Sequence, residues 1–264
     1  MKKLFATICA LALAFSVTAC NHTSSSPDVK ANTNANSTAS FAAKPNSNLN
    51  SGEINSKINS SSKPEFGYRY KTENYRYDEN NKSFRINYPQ FSDEIPNVSK
   101  INDLMKKTAM QTLDSLGKDK VWKINVKSDI SFHNENIISI TFDENYALIG
   151  TTEMKETYRT VNYDIKKGAQ LTSADLILKN DSLNSLVLKK AQDKANKKVK
   201  SKITAAVIKK SMESCSIYFE KDKVGFSLPV SHELGDHLEI ELKYDEVKPF
   251  MTKSDVWNSL TANK

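Results

Sequence analysis

Cysteine is scarce in this chain: three in 264 residues, and two of them, Cys9 and Cys20, fall within the first twenty. Loss of Cys9 with a leader and modification of Cys20 would leave Cys215 alone, which excludes the disulfide framework that staples small secreted modules. Its setting, Cys215 to Phe219, is that of a small buried hydrophobe. Glycine numbers only seven, so backbone-lined ligand loops are few, and no G-x-S-x-G elbow, phosphate-binding loop or paired cysteine ligands occur. Histidine numbers four: His22, His133 in the turn HNEN, and His232 and His237 in SHELGDH. A zinc-protease helix needs its second histidine four residues after the first. Here the spacing is five, Pro229 precedes it and Gly235 interrupts it, so this segment is read as a turn. Asp143-Glu144 and Asp245-Glu246 are carboxylates that sequence cannot pair across space, so a glycosidase dyad is neither shown nor excluded. No catalytic residue, metal ligand or cofactor is assigned, and the chain is expected not to be an enzyme.

What is present begins at the N-terminus. Lys2 and Lys3 form a positive start, Leu4 to Phe15 an apolar stretch too short to span a bilayer, and Val17-Thr18-Ala19 a small-residue end. Residues 1–19 read as a secretory signal. With Cys20 they resemble the lipobox of bacterial lipoproteins, which implies diacylglycerol and palmitate on Cys20 as a membrane anchor. The alternative is an ordinary signal in which Cys20 is incidental. Two or more acyl chains make such anchoring stable, at about 0.8 kcal/mol per buried methylene.

Residues 20–64 hold Cys20 and a run of Ser, Asn, Ala, Thr and Lys with few large apolar side chains. Such a composition cannot bury enough surface to offset its ordering entropy. It predicts a disordered tether with a root-mean-square reach of about 35–40 Å. The folded part is expected in 65–264, as an N-terminal subdomain, 65–150, and a C-terminal one, 151–264.

The formal charge is +7, falling to +5 without Lys2 and Lys3. It is uneven: 65–181 carries 17 basic and 18 acidic groups, whereas 189–210 carries nine lysines against Asp193 alone. In that stretch Leu183, Val187, Ala191, Ala195, Val199, Ile203 and Val207 recur every four residues, predicting one long lysine-rich helix capped by Asp181 or Ser182. Its lysines form either a solvated face or a surface drawn to anionic lipid or wall polymer. Nucleic acid is not an expected partner, since no basic, aromatic-interleaved motif accompanies the lysines.

The alternating run YRYKTENYRY, the turn residues Asp78 to Asn81, and FRINY predict a hairpin. Its tyrosines suit cross-strand packing or an exposed binding face. Ser99 can cap a helix reaching Leu116 and stopped by Gly117. Strands are expected near 122–132, 137–146, 154–165, 216–219, 224–228 and 238–243, with short helices near 173–177 and 254–260. Short connections favour antiparallel pairing, and the absence of regular βαβ alternation argues for α+β.

Three segments together resemble the RsiV-like extracellular family, which also forms the non-catalytic N-terminal part of PdaC-type deacetylases. They are INYPQF (Ile86–Phe91) with Val98 to Asn102; Ile138 to Phe142 with Val161 to Ile165, Gly168, Leu171, Asp175 and Leu176; and Tyr218 to Glu220 with Phe226 to Pro229, Gly235, Ile240 to Tyr244 and Val247. Ser173 is read as the cap of the Ala174-Asp175-Leu176 turn. Members include lysozyme-sensing anti-sigma factors, so the resemblance implies an extracytoplasmic module binding lysozyme or another envelope protein or glycan. The Gly-Gly-Ala-His-like run that often follows the central strand is here Leu148 to Thr152. Neither an anti-sigma segment nor a deacetylase domain is expected, so neither activity carries over. The alternative is a peptidoglycan-modifying enzyme or its accessory domain. A chain of +5 is not steered toward a basic lysozyme over long range, so a locally acidic face is required, expected within 65–181.

Overall fold

The computed structural model describes residues 68–92 and 95–261; the signal, Cys20, His22 and the tether lie outside the described residues. The expected hairpin is present as β1 (Tyr70–Glu79) and β2 (Lys82–Phe91). Asn80 and Asn81 take φ of 51° and 63° between them. Asparagine tolerates this left-handed region, and two such residues in succession give a turn whose twist matches its strands. Tyr77 stacks on its cross-strand partner Phe84 at 5.1 Å and Tyr70 meets Phe91 at 5.9 Å, so these tyrosines pack across the hairpin.

Helix α1 (Val98–Leu116) buries Ile101, Met105, Ala109 and Leu113 on one face and ends at Gly117, φ 84°. Ser99 is not its cap. Asn97 holds that position, and the start is tied down by Asn102, whose side chain accepts from the Phe91 amide (2.7 Å) and donates to its carbonyl (3.0 Å). Because α1 carries the chain back, β3 (Val121–His133) pairs with β2 in parallel, Ser83–Ile86 beside Lys123–Val126. This departs from the antiparallel expectation for the reason that a crossover helix intervenes. β4 (Ile137–Leu148), β5 (Lys155–Asp164) and β6 (Ala169–Leu171) then follow antiparallel, completing a six-stranded sheet in sequence order.

A second, three-stranded antiparallel sheet comprises β7 (Ser216–Phe219), β8 (Lys223–Pro229) and β9 (His237–Lys243). The short helix α2 (Ser173–Leu176) is capped by Thr172 rather than Ser173, in a reciprocal capping box with Asp175. The architecture is α+β, as expected.

The long lysine-rich helix is corrected to three pieces: α3 (Asp181–Lys194), α4 (Lys197–Lys200) and α5 (Ala205–Glu213). Asn180 caps the first, in place of Asp181 or Ser182. Ala195 is extended, Asn196 accepts from the Lys198 and Val199 amides, and Thr204 accepts from Val207. Polar side chains that bond the local backbone here offer it an alternative to continued helix. The predicted period holds through Leu183, Val187, Ala191 and Ile203, which line one core, but the breaks shift it: Val199 stays outside that core and Ile208, not Val207, enters it with Met212.

The described residues belong to one compact unit with two cores. In the first, α1 covers Phe84, Ile86, Ile124, Val126, Ile138, Ile140, Phe142, Val161 and Tyr163. In the second, α3, α5, α6 (Tyr244–Val247) and α7 (Asp255–Thr261) cover the second sheet, with Trp257 edge-on to Phe219. The first core runs from Tyr68 to Ile165, so β5 belongs to it; the second takes Ile137 and residues from Leu171 onward. Polar side chains bind the sheets together. Ser139 Oγ accepts from the Phe219 amide (3.0 Å), and Asn162 Nδ2 donates to the Ile217 carbonyl (2.6 Å). No helix among the described residues is long and apolar enough to cross a membrane.

Candidate functional site

Strands β7 to β9 alternate strictly. Ile217, Phe219, Val224, Phe226, Leu228, Ile240 and Leu242 enter the second core, which turns Tyr218, Gly225, Ser227, Glu239 and Glu241 to the opposite face. The register lines up Tyr218, Gly225 and Glu241 across the three strands. Glycine is required in the middle, because a Cβ there would overlap the Tyr218 ring. Tyr218 thereby lies flat over the central strand and meets Tyr158 of β5, ring centroids 5.6 Å apart, while Tyr158 meets His237 at 5.5 Å.

Carboxylates surround these rings. Burial drives the Tyr158 phenol up to about 12, and Glu239, Asp143 and Glu220 oppose its ionisation further. Tyr218 is raised by burial, by Tyr158, and by Glu239, Glu241 and Glu220. The counter-charges are fewer. Lys223 lies 2.8 Å from Glu241 and 3.9 Å from Glu220, His237 lies 3.6 Å from Glu239, and Lys194 Nζ donates to the Glu239 carbonyl (3.0 Å). Burial and then the charge of Glu241 hold the Glu220 carboxyl above its ordinary value. The side chains of Glu220, Glu239 and Glu241 are 34, 35 and 36% exposed, accessible to a partner yet partly removed from water. Tyr218 is buried, at 3% exposure, and serves as the floor; the half-buried Tyr158 ring and the flanking carboxylates are what a lysine or arginine side chain can reach, through ion pairing and ring–cation attraction.

The other residues singled out in the sequence do not converge on this face. Cys215 is a free, buried thiol whose burial raises its pKa, the opposite of an activated nucleophile. His133 is exposed at the end of β3, against Tyr68. Asp143 is exposed but Glu144, on the other side of β4, is fully buried and paired with Arg159, which also donates to Thr112 of α1 (2.6 Å). Glu246 caps α6 and pairs with Lys190 at 2.7 Å. His232 and Glu233 lie in a single 3-10 turn, His232–Leu234. Among the described residues no group of three or more His, Cys, Asp and Glu is arranged to hold a metal ion. The acidic face also differs from the place expected for it: Asp143 and Tyr158 come from 65–181, but Glu220, Glu239 and Glu241 come from the second sheet. The sequence signal for it was the alternation LEIEL in β9, opposite a glycine.

No protein-family profile matches the sequence, and no curated protein does. Among solved structures, a DUF3298 family member from Bacteroides fragilis is similar over 75% of this chain and 99% of its own, with a TM-score of 0.53 at 10% identity. A DUF3298 family protein from Pseudomonas aeruginosa PAO1 is similar over 70% of this chain and 93% of its own, with a TM-score of 0.42 at 10% identity. The likeness to the first is one of fold, and it is consistent with the RsiV-like resemblance in the sequence.

Proposed function

We propose that this chain is a cell-envelope lipoprotein, held to the membrane by lipid on Cys20, whose folded part is an extracytoplasmic binding and sensing module. Its partner is a basic envelope protein, of which lysozyme is the model case. The observation that supports this reading is the acidic face around Tyr158 and Tyr218, where Asp143, Glu220, Glu239 and Glu241 stand against Lys223, Lys194 and the titratable His237. A locally acidic surface removes the objection raised by the overall positive charge, because at physiological salt only charges within about 8 Å of one another interact strongly.

Purified chain is incubated with immobilised lysozyme and, separately, with peptidoglycan. Capture of lysozyme without release of soluble wall fragments is the expected result; release of fragments would identify an enzyme instead. The anchor is tested by radiolabelled palmitate, which should enter the chain in cells and fail to enter a Cys20→Ala variant.

A further inference from the structure

The loop between β8 and β9 is fastened to the β4–β5 segment at two points, the His232 imidazole on Glu153 and the Asp236 carboxylate on the Glu156 amide. His232 Nδ1 lies 3.0 Å from Asp236 Oδ2, and its Nε2 lies 3.1 Å from Glu153 Oε1. A neutral imidazole has one N–H and serves one carboxylate as a donor; only the imidazolium serves both. Asp236 is itself constrained, with φ 63°, and its carboxylate also accepts from the Glu156 amide at 2.9 Å. The end of the loop therefore rests on the first residues of β5. The next residue is His237, which touches Tyr158 and pairs with Glu239 at the rim of the acidic face.

We propose that His232 is a protonation-dependent clasp on the 230–237 loop, closed by the imidazolium and loosened by the neutral ring, which leaves the Asp236 attachment to the Glu156 amide in place, and that it thereby sets the rim of the acidic face. The second half of this statement rests on the binding reading above; the clasp itself does not. The charged groups around it act in both directions. Asp236 and, more weakly, Glu153 draw the His232 pKa above its ordinary 6.5, against desolvation and the nearby Lys155. Burial alone would raise the Asp236 carboxyl, but the Glu156 amide and His232 more than offset it and hold it below its ordinary value. Glu233, beside His232 in the loop, is paired with Lys202, and Tyr146 stands near Asp236. His237 faces Glu239, Glu156 and Asp143, and is also raised.

The clasp is thus closed in mildly acidic medium and opens as pH rises through a value above 6.5. The His232 side chain is 55% exposed, so water competes with both carboxylates and the change in loop protection is a few-fold rather than many orders.

Two measurements on the full chain test the clasp without any partner. The first is the NMR titration of the His232 ring proton; the second is amide exchange of peptides covering 153–156 and 230–237, corrected for intrinsic rates, between about pH 5.5 and about pH 8.5. The midpoint should lie above 6.5 and fall in Glu153→Gln, and loop protection should drop about two- to fivefold across it. In His232→Gln, whose amide does not titrate, protection should be independent of pH across the same range. A midpoint at the ordinary value that Glu153→Gln leaves unmoved, or protection unchanged across it, overturns the clasp. Lysozyme capture at about pH 6 and about pH 8 then tests its coupling to the face. Capture that differs between the two in the wild-type chain and not in His232→Gln supports the coupling; equal capture in the wild type overturns it. Failure to capture lysozyme at either pH overturns the functional reading, while the exchange result still decides the clasp.

Discussion

Glu144 is fully buried, one of its carboxylate oxygens has no partner, and the other is held by Arg159. Burial also lowers the Arg159 pKa, so both charges sit at a cost that their pairing offsets. Arg159→Met should therefore destabilise the chain by about 3–5 kcal/mol in denaturant titrations, while the double change with Glu144→Leu should recover most of that loss. The pair His237 and Glu239 behaves differently because it is partly solvated. Glu239 brings the His237 pKa above 6.5, and His237, then Lys194, hold the Glu239 carboxyl below 4.5. The histidine contribution is complete below 6.5 and fades as pH rises through its folded value; the glutamate contribution is complete above 4.5 and fades as pH falls through its folded value. Thermal unfolding of the wild type and of Glu239→Gln should consequently differ most between pH 4.5 and 6.5, converge as pH falls, and keep the smaller difference due to Lys194 as pH rises.

At the scale of elements, the β1–β2 turn is the clearest case of side-chain chemistry choosing backbone shape. Asn81 at φ 63° should accept glycine with little change in stability, whereas Asn81→Val should cost about 1–2 kcal/mol, measured by chemical denaturation. This hairpin, α1, and β7 to β9 were legible because their periods are local: alternation in YRYKTENYRY and LEIEL, and the stripe of Ile101, Leu104, Met105, Thr108, Thr112, Leu113 and Leu116. The broken lysine segment was not, because in the sequence Leu183 to Val207 recur every four residues without interruption, and the recapping at Asn196 and Thr204 that moves the buried position to Ile208 leaves no mark on that pattern. The parallel β2–β3 pair also escaped, since its direction depends on where α1 delivers the chain and not on either strand's residues. The acidic face was half legible for the same reason. Glu239 and Glu241 share a face by alternation alone, but their meeting with Tyr158 and Asp143 depends on how one sheet packs against the other.

At the scale of the whole molecule, charge is segregated. Lysines concentrate on α3 to α5, several of them paired outward as Lys190–Glu246, Lys202–Glu233 and Lys209–Asp181, and the carboxylates around Tyr158 and Tyr218 gather where the two sheets meet. A chain positive in total can still accept a positive partner if contact is made through that one region. The most direct measurement is the affinity for a strongly basic lysozyme of the wild-type chain and of a Glu220→Gln, Glu239→Gln, Glu241→Gln variant, at low and at physiological salt. Binding should weaken about tenfold or more in the variant and lose most of its salt dependence. Equal affinities with equal salt dependence, in two proteins of the same thermal stability, would contradict this.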